Sequence, residues 1–262
     1  MKPIITINYL LLMISLFLSP MLQASDTAKE KRWADQIVDD IMVGEAEWLN
    51  AGAHKFLGIY TKNTTSKTLG GVIVLHGIGI HPNWMDVVQP LRSDLPDQGW
   101  HTIAVQMPIL KNEAKSEDYV PLFPEVMPRI NAAIAFMKSK GIKNIVVVGH
   151  SLGSSMGAYF MAQNKDDSVK ALVAVSVSGT KDNEPWYLHS LKKIKSPVLD
   201  IYGSDDLPEV LSATLNKAAT AKAAGNAHYD QFMVKDADHF FKGKNRGLVK
   251  HVADWIKKFA QK

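Results

Sequence analysis

The chain of 262 residues contains no cysteine. That excludes disulfides, thiolate nucleophiles, cysteine-ligated zinc and a lipid anchor on an N-terminal cysteine. An excess of one charge is also missing: 30 Lys and Arg stand against 26 Asp and Glu, interleaved along the chain, for a formal net charge of +4 with neutral histidines. Nucleic-acid binding normally needs a basic face or run, so no nucleic-acid partner is expected. The 17 Gly and 12 Pro are not gathered into a linker, and no repeat of about 20–50 residues is visible. What remains is a composition of ordinary globular kind, 46% hydrophobic and 21% charged, with enough chain for one sizeable core.

Long apolar runs are absent except at the N-terminus. Lys2 precedes a nearly all-apolar stretch from Ile4 to Leu18, followed by Ser19-Pro20 and Leu22-Gln23-Ala24. The run falls short of the ~20 apolar residues that span a bilayer. Charge, apolar core and small-residue end, in that order, read as a secretory signal peptide cleaved after Ala24. Residues 25–262 are then expected as a single exported domain, most simply periplasmic in a bacterium, with no membrane span left after cleavage.

Residues 26–43 carry Trp33, Ile37 and Ile41 at four-residue spacing among charges, which predicts an amphipathic helix lying on the rest of the fold. Residues 45–49 and 55–61 flank the turn signal Asn50-Ala51-Gly52 and predict a hairpin. From there short apolar runs recur at Val72–Leu75, Ile103–Val105, Ile145–Val148, Leu172–Val175 and Val198–Ile201. They lack clean alternation, as strands buried on both faces of a parallel sheet do. Helical spacing lies between and after them, at Trp84, Val88 and Leu91, at Met127, Ile130, Ile134 and Met137, at Val210, Leu211 and Leu215, and at Leu248, Val252, Trp255 and Phe259. Strand and helix alternate, so the expected fold class is α/β, a doubly wound and mostly parallel sheet. Chemistry in such sheets sits at the carboxyl ends of the strands.

The run Ile145–Val148 ends in Gly149-His150-Ser151-Leu152-Gly153. This is G-x-S-x-G between a strand and a helix, a turn that strains the serine backbone and uses glycines so that strand and helix can approach. Ser151 is the candidate nucleophile. A serine hydroxyl needs a base to take its proton and a carboxylate to orient that base. The run Val198–Tyr202 leads into Gly203-Ser204-Asp205-Asp206, and Phe232-Met233-Val234 leads into Lys235-Asp236-Ala237-Asp238-His239. Asp206 is assigned as the acid, with Asp205 as its rival, and His239 as the base. Taken singly, Asp206 also reads as a cap for a helix near Pro208 and His239 as a surface histidine. Oxyanion donors are expected from the backbone N–H of Leu152 and, after Val72–Leu75 and His76-Gly77, from that of Ile78. His76 is read as a brace for its loop.

H-G after one strand, G-H-S-L-G after a later one, G-x-x-D and a final D-H together resemble the α/β-hydrolase superfamily across roughly residues 45–260. More narrowly, His76-Gly77-Ile78-Gly79-Ile80-His81-Pro82-Asn83-Trp84, Leu122-Phe123-Pro124-Glu125 and Ala237-Asp238-His239-Phe240-Phe241 resemble a secreted bacterial α/β-hydrolase family described as a domain of unknown function. The resemblance implies a hydrolase fold and an envelope location, and names no substrate. Members often carry a lid after the sixth strand, but only about 20 residues separate Val177 from Pro197, which leaves room for one short helix and no separate cap domain. A serine nucleophile also argues against dehalogenase and epoxide hydrolase chemistry. Residues 109–125, with Tyr119, Leu122 and Phe123, are either a pocket wall or a surface loop.

The expected activity is that of a serine hydrolase on a small-molecule ester or thioester, through Ser151, His239 and Asp206, with no cofactor and no metal. The alternative is a non-catalytic envelope protein that uses the cleft of the same scaffold for binding.

Overall fold

The computed structural model describes residues 25–259, and the expected signal peptide lies outside the described residues. The chain begins with α1 (Thr27–Ile37), capped by Asp26, whose carboxylate accepts a hydrogen bond from the Lys29 N–H. A 3-10 turn, Val38–Asp40, ends the helix before Ile41, which is extended at φ −73°, ψ 102°. The helix therefore stops short of residue 43. The chain must leave the helix direction to bring Gly44 (φ 87°) against the sheet, where a Cβ would lie 2.5 Å from Thr61 Oγ1.

The hairpin forms from β1 (Glu45–Ala51) and β2 (His54–Thr61), paired from Glu45↔Tyr60 to Ala51↔His54. There follow β3 (Gly70–Leu75), α2 (Val88–Asp94), β4 (Trp100–Val105), α3 (Phe123–Ser139), β5 (Ile145–His150), α4 (Leu152–Met161), β6 (Val169–Val175) and α5 (Tyr187–Leu191). The described chain closes with β7 (Val198–Asp205), α6 (Pro208–Leu211), α7 (Thr214–Ala223), β8 (Tyr229–Asp238) and α8 (Asn245–Ile256). The sheet order is β1-β2-β4-β3-β5-β6-β7-β8. Pairings β1–β2 and β2–β4 are antiparallel and all others are parallel.

The unbroken apolar runs are explained by two cores, one on each face of this sheet. Ile73, Leu75, Ile145, Val147, Leu172 and Ala174 pack on one side. Val72, Val74, Val146, Val148, Ala171 and Val173 pack on the other. Successive residues of a strand point to opposite faces, so both sets must be apolar when helices cover both faces. Two helical expectations are trimmed. Trp84 sits in a turn, its N–H bonded to the His81 carbonyl, and the helix waits until Val88 because Val87 at φ 60° cannot continue one backward. The stripe at Val210, Leu211 and Leu215 is broken into α6 and α7, and Leu215 is exposed.

α1 does lie on the fold, as its stripe predicts. Ala34 and Ile37 pack on Leu57 and Ile59 of β2. Farther along, an ion pair is wholly buried between β7 and α7. Lys217 Nζ lies 2.8 Å from Asp200 Oδ2 and also donates to the Val177 carbonyl at 3.1 Å. Asp200 accepts two more hydrogen bonds, from Tyr229 Oη at 2.8 Å and Gln231 Nε2 at 3.1 Å. Removing one partner of such a pair strands a charge in the interior, which costs about 3–5 kcal/mol. Lys217→Met, which keeps the volume, is expected to lower the unfolding free energy in urea by that amount, and a loss under about 1 kcal/mol would mean the pair is not the anchor described.

Candidate active site

Ser151 stands between β5 and α4 at φ 53°, ψ −120°, a conformation that costs a non-glycine residue about 1–3 kcal/mol. The turn is held from both sides. The Ser151 N–H donates to the Val175 carbonyl at 2.8 Å, and the Ser154 N–H to the Ser151 carbonyl at 3.0 Å. Ser154 Oγ closes the back of the turn on the Gly149 carbonyl at 2.7 Å. The Ser151 side chain is left half-buried, and among the described residues its hydroxyl has no hydrogen-bond partner.

Asp206 and His239 follow β7 and β8. His239 Nδ1–H donates to Asp206 Oδ1 at 2.7 Å. That bond fixes the tautomer and leaves Nε2 free to accept a proton. The other Asp206 oxygen accepts from Ser176 Oγ at 2.5 Å and from the Gly203 N–H at 3.3 Å, and the Leu207 N–H donates to Oδ1 at 2.8 Å. Burial works to raise the Asp206 carboxyl, but the hydrogen bonds from His239, Ser176 and Leu207 overcome it and hold the group below its ordinary value. Asp206 is thus an ionised, fully engaged acceptor. Asp205 is exposed and its carboxylate accepts, among the described residues, only from Ser204 Oγ, so of the two adjacent carboxylates it is Asp206 that meets His239. The cap position of α6 belongs to Leu207, with no side-chain cap.

Two histidines brace this arrangement. His76 is buried, its Nδ1–H donating to the Gly77 carbonyl at 2.9 Å while Nε2 accepts from the Met107 N–H at 2.9 Å. Burial lowers its pKa to about 3. His150, in the same G-H-S-L-G turn as Ser151, donates from Nε2 to the His239 carbonyl at 3.0 Å. It is buried as well, and desolvation together with the neighbouring His239 lowers it to about 4. His150 thereby ties the turn that carries Ser151 to the loop that carries His239. Sequence reasoning assigned it no role. Ser176 was missed too, although it directly follows an apolar strand run, the place where such residues are to be sought.

Ile78 and Leu152 line the same cavity as Ser151 and His239. Neither backbone N–H has a hydrogen-bond partner among the described residues. Gly77 lets the Ile78 loop approach, since a Cβ there would already stand 3.2 Å from the Ser151 Cβ. The cavity measures about 510 Å³. Its apolar wall includes Trp186, Leu207, Val210 and Phe240, and Glu117 and Lys181 form an ion pair at its edge. Tyr119, Leu122 and Phe123 are core residues. The part of 109–125 that reaches the cavity is Ser116 and Glu117. Between β6 and β7 the chain makes only the short α5, so no separate cap stands over the site.

This sheet order, with the serine turn after β5 and the acid and histidine after β7 and β8, defines an α/β-hydrolase fold. The chain belongs to the family described as protein of unknown function (DUF3530), whose model matches residues 20–121 and 113–258. No curated protein matches the sequence. Among solved structures the fold is similar to Est1E from Butyrivibrio proteoclasticus, at 15% identity and TM-score 0.65 over 81% of this chain and 98% of that one. It is similar to an esterase of Pyrococcus furiosus at 17% identity and TM-score 0.66, covering 83% and 91%. A serine hydrolase without lid from Xanthomonas campestris matches at 13% identity and TM-score 0.61, covering 84% and 97%. At these identities the likeness is one of fold.

The buried histidines make stability pH-dependent with a definite sign. Their native pKa values lie near 3 and 4, below the ordinary ~6.5 of the unfolded chain, so between these limits the unfolded state binds more protons. Stability is full above pH ~6.5 and falls as the pH drops, by about 1.4 kcal/mol per unit for each of His76 and His150. Urea midpoints measured from pH 7 to pH 5 should decline steeply, and a flat profile would contradict the burial of neutral imidazoles.

Proposed function

We propose that the protein is an exported serine hydrolase acting on carboxylic esters or thioesters of small molecules. One observation carries the reading: a strained, unpartnered serine hydroxyl shares a cavity with a histidine whose far nitrogen is held by a buried carboxylate. Ser151 Oγ attacks the carbonyl carbon while His239 Nε2 takes its proton. Asp206 stabilises the imidazolium and keeps the ring oriented. The carbonyl oxygen, now negative, accepts from the N–H groups of Ile78 and Leu152, each such donor being worth about 3–4 kcal/mol to the transition state. His239 then protonates the leaving alcohol or thiol, and water, deprotonated by the same imidazole, releases the acid from Ser151.

The open cavity and the absence of a cap support a small ester rather than a long lipid chain. The leader-like residues 1–24 support export, most simply to a periplasm.

Treatment of the purified protein with a fluorophosphonate, followed by peptide mass analysis, should place one adduct on Ser151. Ser151→Ala should take no label and lose about 10⁶-fold in turnover while staying folded. Asp206→Asn should lose about 10⁴-fold. Activity on p-nitrophenyl esters should fall off as the acyl chain outgrows the cavity. Full activity in Ser151→Ala would overturn the assignment, and an unlabelled but folded protein would point to a binding scaffold instead.

A further inference from the structure

Ser25, the first described residue, is buried and bound like a ligand. Its backbone nitrogen donates to Glu125 Oε1 at 2.9 Å and its hydroxyl to Glu125 Oε2 at 2.7 Å. The same hydroxyl accepts from Arg129 Nη2 at 3.1 Å. Behind it the Asp26 N–H donates to the Ile109 carbonyl at 2.8 Å, and the Thr27 N–H to the Ser25 carbonyl at 2.9 Å. Every polar group of Ser25 is therefore engaged, and both oxygens of one carboxylate are aimed at its nitrogen and hydroxyl.

While this nitrogen is part of a peptide bond, the carboxylates bonded to Arg129 outnumber it. Arg129, itself buried, donates to both oxygens of Glu30 at 2.9 Å and to Glu125 at 3.3 Å, so one guanidinium serves two carboxylates. Nearby, Lys29 and Arg32 stand with Asp26 and Glu113, two charges of each sign, and Lys29 Nζ is held by the Leu110 carbonyl and Asn112. From β2, His54 Nε2 donates to Glu30 Oε2 at 2.9 Å. Two carboxylates thus share one guanidinium in a largely buried cluster, an arrangement that a further cation beside Glu125 would stabilise. The atom best placed to supply that cation is the Ser25 nitrogen.

We propose that Glu125 and Arg129 form a receptor for a free α-ammonium group on Ser25. It is created when a leader peptidase adds water across the Ala24–Ser25 amide, leaving a carboxylate on Ala24 and an amine on Ser25 that takes up a proton. Removal of residues 1–24 then supplies the charge that closes the Glu30–Arg129–Glu125 cluster and locks α1 onto α3. The inference rests on the export reading but not on the catalytic one. A carboxylate-paired α-ammonium has its pKa raised above the ordinary ~7.7–8.0. Its contribution to stability is therefore complete below that range and is lost as the pH rises through the native value.

The full-length gene is expressed and the exported protein weighed intact. A chain beginning with an unblocked Ser25 is expected. Any other start overturns the proposal and leaves the export reading standing, and an uncleaved chain overturns both. The next two arms strike the receptor alone. Acylation of the α-amine at pH 7.5 should be about tenfold slower in the native protein than in Glu125→Gln or in the same protein unfolded in urea. Insertion of one Gly between Ala24 and Ser25 moves the charge and leaves every side chain in place. It should lower the melting temperature by about 3 °C at pH 7, and by less at pH 10. Equal labelling rates, or a melting difference that ignores pH, would overturn the receptor while leaving cleavage intact.

Discussion

Between β5 and α4 the backbone reverses through a space that admits no side chain on either flank of Ser151. A Cβ on Gly149 would lie 2.5 Å from the Gly153 carbonyl oxygen, and one on Gly153 would lie 2.4 Å from that of His76. Strand, helix and the His76 loop thus touch backbone to backbone, and the serine between the glycines takes the strain at φ 53°. Such a conformation persists only where its surroundings over-determine it. Here they do, because β5 is buried along its whole length and the Ser151 N–H is fixed on the neighbouring strand at Val175. The same contact presses the Ile78 loop against Ser151, so one packing constraint sets both the hydroxyl and the free amides beside it.

Parallel register brings the remaining groups to that point. Leu75 pairs with Gly149, His150 with Val175, and Val175 with Ile201, so β3, β5, β6 and β7 end along one edge. The last step needs an irregularity. Register shifts between Gly203 and Asp205, where a Cβ on Gly203 would come within 2.1 Å of the Ala237 carbonyl oxygen. That shift turns the end of β7 so that Asp206 points inward to His239 and Ser176 while Asp205 stays in solvent.

This explains how far the residues could be read without coordinates. Ser151 was legible because a glycine-flanked serine directly after Ile145–Val148 has few structural uses, and the order of strand ends then led to Asp206 and His239. The choice between Asp205 and Asp206 had no basis in charge or alternation, since it depends on a register shift whose cause, the close approach of Gly203 to Ala237, lies 34 positions away in the chain. Ser176 and His150 escaped for a related reason. Their roles are contacts between strand ends, with Asp206 and with the His239 carbonyl, and no local pattern encodes a cross-strand contact. The helical stripes at Trp84 and Ile41 outlasted their helices because apolar residues bury equally well from turns.

The pocket wall depends on the interior in the same indirect way. The segment after β6 supplies Ser178, Thr180, Lys181 and Trp186 to the cavity, with no cap to brace it from above. It is braced from below. Lys217 reaches through the core to the Val177 carbonyl, and its side chain lies so close to Gly179 that a Cβ there would stand 2.6 Å from Lys217 Cγ. A buried ion pair adds little net stability compared with a pair of apolar side chains of the same volume. What Lys217 does here that such a side chain could not is hydrogen-bond two separate elements at once, Asp200 on β7 and the backbone after β6. The ion pair thereby couples the strand that delivers Asp206 to the loop that walls the cavity, and the open site keeps a defined shape without a lid.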